Sequence, residues 1–169
     1  LQRGAKYFVN YCLNCHSAKY MRYNRLVDIG LTEKQIVDKL MLSGGKIGDT
    51  MEVAMNPVDA KKWFGVAPPD LSVEVRARGA DWVYAYLRGY YRDSTTEQVL
   101  NHKTNSLELI KPGKLSASEY NLFVADLTNY MAYMAEPTKQ SRQHTGWWVL
   151  LFLGVLLILA KILKNEYWR

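Results

Sequence analysis

The chain has 169 residues, a length that fits one domain with a core of its own and one short accessory segment. Hydrophobic residues make up 49% and charged residues 22%, a balance that excludes wholesale disorder and a polytopic membrane protein. The formal net charge is +6, but Lys and Arg are scattered and form no basic stripe with interleaved aromatic residues, so we expect no nucleic-acid binding.

A short helix is indicated near the start of the chain. Tyr7, Phe8 and Tyr11 follow Gly4 at positions i, i+1 and i+4, which gives one aromatic face at helical spacing. A glycine together with an aromatic face suits close packing against another helix. No cleavable secretory signal is visible in the sequence, so we expect it to be either a mature chain or a portion of one.

The next segment carries the chemistry. Cys12 and Cys15 are the two cysteines of the chain, too few for a disulfide scaffold or an all-cysteine four-ligand metal site. With His16 they form the C-x-x-C-H pattern that is typical of c-type haem attachment. In that chemistry the two thiols form thioether bonds to the vinyl groups of the porphyrin, and the histidine brings an imidazole nitrogen to the iron.

Three alternatives compete with haem attachment. A thioredoxin-like dithiol occurs in a strand-turn-helix setting, which the residues around Cys12 and Cys15 do not suggest. Half of a zinc site would need two more ligands, and the other histidines are His102 and His144. The third alternative is coincidence.

Two helices are predicted in the middle of the chain. Thr32 to Leu42 begins with a Thr32/Gln35 capping box and ends before Ser43-Gly44-Gly45, and Asp81 to Tyr90 is interrupted at Gly89. No alternating strand pattern is convincing.

A longer helix follows. Ser116 and Glu119 form a capping box, apolar residues then recur at helical spacing, and Pro137 ends the run. Two terminal helices that cross beside a haem are a cytochrome c arrangement. The fold class we expect is therefore mainly α, with a cytochrome c-type haem domain, long loops and one membrane helix.

The membrane helix is predicted over residues 147–163. Trp147 to Ala160 is entirely apolar or glycine, and with Ile162 and Leu163 the run approaches the ~20 residues that cross a bilayer as a helix. Aromatic residues flank both ends, and a buried core helix is the alternative. We expect a haem domain over 1–138, a linker over 139–146, the span, and a tail over 164–169.

The residues resemble the cytochrome c1 family in its bacterial form, the haem-bearing subunits of the cytochrome bc1 complex. The likeness covers nearly the whole chain, and its order of motifs is far more specific than C-x-x-C-H alone. It rests on Y-C-L-N-C-H-S at 11–17, M-R-Y-N-R at 21–25, A-P-P-D-L-S at 67–72, R-A-R at 76–78, A-E-P at 135–137 and the tail K-N-E-Y-W at 164–168.

This resemblance implies roles for named residues. Cys12 and Cys15 would hold one covalent haem c per chain, and His16 would be the proximal iron ligand. Arg78 would face a haem propionate, whereas its pattern alone fits a solvated surface charge. Pro68 and Pro69 would line the haem edge as a stiff apolar wall.

One departure concerns the second axial ligand. In the family this ligand is a methionine in a loop after the Arg78 region, but the stretch from Tyr91 through Tyr130 contains no methionine. We expect that a loop is missing from the sequence near residues 94–97, which would separate the neighbours of Thr96 by more than the ~3.8 Å of one peptide. Different ligation is the alternative, with Met51 or Met55 as candidates.

The implied function is electron transfer. The chain would be no enzyme on its own but a subunit of a quinol:cytochrome c oxidoreductase, with cytochrome b, the Rieske iron-sulfur protein and a cytochrome c acceptor as partners. It would lie in the bacterial inner membrane with the haem domain in the periplasm and the C-terminus in the cytoplasm. Two alternatives are an independent membrane-anchored cytochrome c that feeds a terminal oxidase and a membrane-tethered zinc or dithiol module.

Overall fold

The computed structural model describes residues 1–92, 98–101, 107–109 and 114–168, and it describes side chains outside residues 90–113. The chain divides into two compact units, Leu1–Glu136 and Pro137–Arg169. The predicted mainly α fold with one C-terminal apolar helix is confirmed.

The core of the first unit forms where its first and last helices cross. Helix α1 (Gln2–Tyr7) packs against α6 (Ala117–Ala135) at Gly4, which is buried. Phe8 contacts Tyr130 of α6 with ring centroids 5.6 Å apart, and both side chains are fully buried. The crossing that the sequence indicated is therefore present, and it lies directly before the cysteine pair.

Capping signals in the sequence locate some helices of this unit and not others. Two begin as the sequence predicts: α2 (Glu33–Lys39) has the Thr32/Gln35 capping box, and α6 has the Ser116/Glu119 capping box. Helix α5 (Ala80–Arg88) ends at Gly89 and packs on α6. Three further helical segments had no clear sequence signal, namely the 3-10 segment Tyr23–Ile29, α3 (Pro57–Phe64) and α4 (Glu74–Arg78).

Short strands were also not predicted. Strand β1 (Ala18–Arg22) pairs antiparallel with β2 (Thr50–Met51), and β1 begins two residues after His16. Three more strands, β3 (Tyr90–Arg92), β4 (Gln98–Asn101) and β5 (Leu107–Leu109), form an antiparallel sheet in that order. With two to five residues each, such strands are too short to show the alternation by which strands are recognised in a sequence.

The second unit is one helix, α7 (Lys139–Tyr167). Among the described residues it is the one helix that is long and apolar enough to cross a membrane, and none of its most apolar window is buried. Its 29 residues exceed the ~20 needed to span a bilayer. Residues 139–146, predicted as a linker, form its first turns.

Candidate haem site

The cysteine pair and the histidine lie on one tight turn. A π-helical segment, Phe8–Cys12, continues from α1, and the Cys12 carbonyl then accepts hydrogen bonds from the backbone N–H groups of Cys15 (3.1 Å) and His16 (2.8 Å). This turn follows the helix crossing without a break, so the position of the motif is set by the core of the domain.

The His16 ring has one nitrogen engaged. Its Nδ1 lies 2.8 Å from the backbone carbonyl oxygen of Pro69, 53 residues further along the chain. A carbonyl only accepts hydrogen bonds, so Nδ1 carries the proton and donates, and Nε2 is left as the basic nitrogen. Histidines that bind metals show this arrangement, in which the second nitrogen bonds a carbonyl or carboxylate and fixes the tautomer.

The Cys12 thiol does not have the lowered pKa of a redox-active thiol. Burial, with a further effect from the neighbouring Cys15, raises the pKa of the Cys12 thiol to about 11. Reactive dithiols have the opposite shift, because the thiolate is the attacking species. A zinc site finds no support either, since the described part of the chain contains no group of three or more His, Cys, Asp or Glu side chains placed to hold a metal.

Two cavities adjoin the turn. One of about 270 Å³ is lined by Cys15, Met55 and Pro68, and another of about 170 Å³ is lined by Leu13, Asn14 and their neighbours. Both cavities share Glu52 and Val53 as lining residues. A thioether-linked haem requires two thiols, an imidazole whose second nitrogen can bind iron, and space beside them. The turn and the adjoining cavities provide all three, so the residues fit this group.

The other predicted residues are placed as follows. Pro69 contacts the motif through its carbonyl oxygen. Arg78, on α4, pairs through Nε with the Glu74 carboxylate, and its guanidinium carbon lies 4.5 Å from the ring centroid of Trp82. The structure therefore brings together Cys12, Cys15, His16 and Pro69, while Arg78 lies in a separate cluster with about half of its side chain exposed.

The methionines differ in what surrounds them. Met51 is fully buried, and the Tyr130 hydroxyl donates to its sulfur at 3.6 Å, so this thioether belongs to the core. Met55 is half-buried and lines the cavity beside Cys15. The Thr96 junction, where a missing loop was expected, lies outside the described residues.

Sequence reasoning missed three polar residues near the motif: Ser17, Asp70 and Ser72. Ser17 and Ser72 are buried, and the side chains of all three accept hydrogen bonds from backbone N–H groups. The sequence does carry a signal for Asp70, because an aspartate whose side chain bonds the N–H two residues on is typical of a turn.

Comparisons with known proteins agree on one family. The model of the "Cytochrome C1 family" matches residues 1–169. A cytochrome c1 from Allochromatium vinosum is 41% identical, and the alignment covers all of this chain and 83% of that protein. A cytochrome c1 from Rhodospirillum rubrum is 28% identical over all of this chain and 80% of its own length.

A third relative has a different name. The "ammonia monooxygenase gamma subunit" of Nitrosomonas europaea is 48% identical, with all of this chain and 82% of that protein covered. The alignments to this relative and to the Allochromatium protein run over 192 and 203 positions, whereas the chain has 169 residues. Both relatives therefore have residues without a counterpart in this chain.

The fold, the donor set and these similarities define a haem-carrying electron-transfer protein. The chain belongs to the cytochrome c1 family, the electron-carrying subunits of the cytochrome bc1 complex, in which cytochrome b is an associated subunit. The apolar helix α7 fits the single membrane span of such a subunit.

Proposed function

We propose that Cys12 and Cys15 bind one haem per chain through thioether bonds and that His16 is its proximal ligand. The chain then carries single electrons from the Rieske iron-sulfur protein to a cytochrome c acceptor. The hydrogen bond from His16 Nδ1 to the Pro69 carbonyl carries this proposal. It leaves the lone pair of Nε2 available to bind iron, on the residue that directly follows the cysteine pair.

Each residue has a defined task. The bound haem supplies the one-electron ferric/ferrous couple. Cys12 and Cys15 fix the group to the turn, His16 orients its imidazole, and the Pro69 carbonyl holds the imidazole in one tautomer and makes it a stronger donor. The family resemblance gives Arg78 the role of partner to a propionate, and in the structure its guanidinium pairs with Glu74 and lies over the Trp82 ring.

An exposed apolar surface supports a protein acceptor. Trp63, Phe64 and Val66 are 65%, 56% and 68% exposed, and they directly precede Ala67 and Pro68, which line the cavity beside Cys15. Exposed aromatic residues that cluster in this way are typical of protein-docking surfaces. We place the contact with the cytochrome c acceptor on this surface.

The proposed location is the bacterial inner membrane, with the haem domain in the periplasm and the tail after α7 in the cytoplasm. Lys161, Lys164 and Arg169 accompany or follow the apolar run, and Lys139 and Arg142 precede it. This charge distribution slightly favours a cytoplasmic C-terminus.

A pyridine haemochrome spectrum of the purified membrane complex tests the central proposal. We expect the spectrum of thioether-linked haem, with haem retained on the polypeptide after denaturation. The variant Cys12→Ser/Cys15→Ser should lose the attached haem, whereas Thr32→Ser, a conservative change at the α2 cap, should retain it. Free thiols in the wild-type chain would contradict the proposal.

Copurification separates this function from an independent membrane-anchored cytochrome that feeds a terminal oxidase. We expect cytochrome b and the Rieske protein to accompany the chain in mild detergent. Isolation of the chain with an oxidase and without those two subunits would favour the alternative.

A further inference from the structure

The segment directly after His16 is held in place by one loop. The backbone N–H of Lys19 donates to Oδ2 of Asp70 at 2.9 Å, and the backbone N–H of Tyr20 donates to Oγ of Ser72 at 3.1 Å. Between them, the Leu71 N–H donates to the Ser17 carbonyl at 2.9 Å. Three consecutive loop residues therefore bond the chain from Ser17 to Tyr20.

The same loop has a hydrogen bond of its own. Oδ1 of Asp70 accepts a hydrogen bond from the Ser72 N–H at 2.8 Å, and Ser72 is fully buried. Burial acts to raise the pKa of Asp70, but hydrogen bonds from Ser72 and Lys19 outweigh it and hold the pKa below its usual value. The carboxylate is thus charged at neutral pH, and hydrogen bonds to a charged acceptor are roughly twice as strong as neutral ones.

This loop begins at Pro69, whose carbonyl accepts from His16 Nδ1. The ring bond and the backbone bonds therefore join the same two segments, residues 16–20 and residues 69–72. If the Asp70 and Ser72 bonds are lost, the Leu71–Ser17 backbone bond still joins the two segments, but with fewer bonds between them we expect the His16–Pro69 bond to lengthen.

We propose that Asp70 and Ser72 are positioning residues that hold the Pro69 carbonyl against His16 and thereby lower the electron affinity of the bound haem. This inference rests on the proposed function of His16 as the iron ligand. A carbonyl that accepts from Nδ1 makes the imidazole more basic, and a more basic ligand favours the ferric state. Loosening the loop should therefore raise the reduction potential.

The test uses Asp70→Asn and Ser72→Ala in the membrane complex. Asn at position 70 has nearly the same shape and keeps one oxygen for the Ser72 N–H, but its NH₂ group cannot accept from Lys19. We expect both variants to retain attached haem with an unchanged pyridine haemochrome. At a fixed solution potential the ratio of ferrous to ferric haem should rise about threefold, which corresponds to about 28 mV for one electron.

Ser116→Ala is the matched control, because it removes a side-chain cap from the N-terminus of α6 without touching either loop segment. Ser116→Ala should lower the thermal stability of the domain about as much as Asp70→Asn or Ser72→Ala does, because each variant loses side-chain hydrogen bonds to the backbone. It should leave the ferrous/ferric ratio unchanged. If neither Asp70→Asn nor Ser72→Ala changes that ratio more than Ser116→Ala does, the positioning role is wrong. Should one of the two fail to accumulate, the other decides. Absence of attached haem in the wild-type protein would instead refute the proposed function.

Discussion

Gly4 of α1 lies directly against the backbone carbonyl of Asp126 in α6. A Cβ atom built on Gly4 would lie 2.1 Å from the Asp126 carbonyl oxygen and 2.7 Å from Cβ of Tyr130. Both distances are far below any real contact, and two of the three nearest atoms belong to the backbone of α6. Asp126 also pairs with Arg3 at 2.7 Å, so an ion pair joins the two helices beside the glycine.

We therefore expect Gly4→Ala to force α1 away from α6 and to destabilise the haem domain by ~2 kcal/mol or more. The free energy of unfolding in urea measures this effect. Gly48→Ala is the control, because no atom lies within 4 Å of a Cβ at that position, and its effect should stay within about 0.5 kcal/mol. Equal stability of the two variants would show that the helices are not packed this closely.

Tyr133 should make the domain sensitive to alkaline pH. Its hydroxyl donates to the Arg25 carbonyl at 2.8 Å and to Asp28 at 3.2 Å. Burial, followed by the charge of Asp28, raises the pKa of Tyr133 to about 12. The unfolded value is about 10, so the stabilisation is complete below about pH 10 and is lost as the pH rises through 12.

Tyr133→Phe should cost about 1 kcal/mol at neutral pH, through the lost hydrogen bonds, and should reduce the fall in stability above pH 10. Part of that fall will remain, because burial also raises the pKa of Tyr130. Unfolding free energies measured from pH 7 to 12 check both effects. Tyr20→Phe, at a side chain 79% exposed, should follow the wild-type curve.

Arg78→Gln should lower the reduction potential of the haem. A positive charge near a propionate favours the state with one more electron, so its removal favours the ferric state. We expect the ferrous/ferric ratio at a fixed potential to fall roughly three- to tenfold, or about 30–60 mV. Arg76→Gln, also on α4, is the control, and identical shifts for both variants would show that Arg78 has no specific role.

Trp63→Ala should slow electron transfer to the acceptor. If Trp63 anchors the docking surface, its truncation should cost more than 1 kcal/mol of binding, or about fivefold in the second-order rate of acceptor reduction. The rate of haem reduction by quinol should be unaffected. Val37→Ala, an exposed apolar residue on α2, should leave both rates unchanged, and an unchanged acceptor rate in Trp63→Ala would place the docking site elsewhere.

The orientation of α7 can be tested with protease. Added from the outside to spheroplasts, protease should digest the haem domain and leave a tag placed after Arg169 intact. This result would place the haem domain on the periplasmic side of the membrane. Cleavage of the tag in sealed spheroplasts would reverse the proposed orientation.

Much of the helical framework could be predicted from the sequence. The capping boxes at Thr32 and Ser116 satisfy backbone groups within four residues, so their signal is local and specific. The apolar run from Trp147 is also a local signal, because its length can be compared directly with the ~20 residues that cross a bilayer as a helix. C-x-x-C-H is equally local, since both thiols and the imidazole come from five consecutive residues.

The rest depends on contacts between distant segments. Helix α4 has only five residues and packs on α6. A helix this short is stabilised by such tertiary contact rather than by local propensity. Pro69 could be named through resemblance, but its role depends on a carbonyl meeting a ring 53 residues away. The pairing of Asp70 and Ser72 with Lys19 and Tyr20 has the same range, and no sequence periodicity reports it.

Attachment of the haem and tuning of the haem depend on residues at very different separations along the chain. Under the proposed chemistry, the bonds that retain the cofactor lie within a pentapeptide, whereas the contact that tunes it spans about a third of the polypeptide. Because the retaining bonds need only five consecutive residues, they can form before the Pro69 segment meets the His16 segment. Denaturation would then break the His16–Pro69 hydrogen bond but leave the haem attached to the chain. The chain could refold without a second attachment of haem.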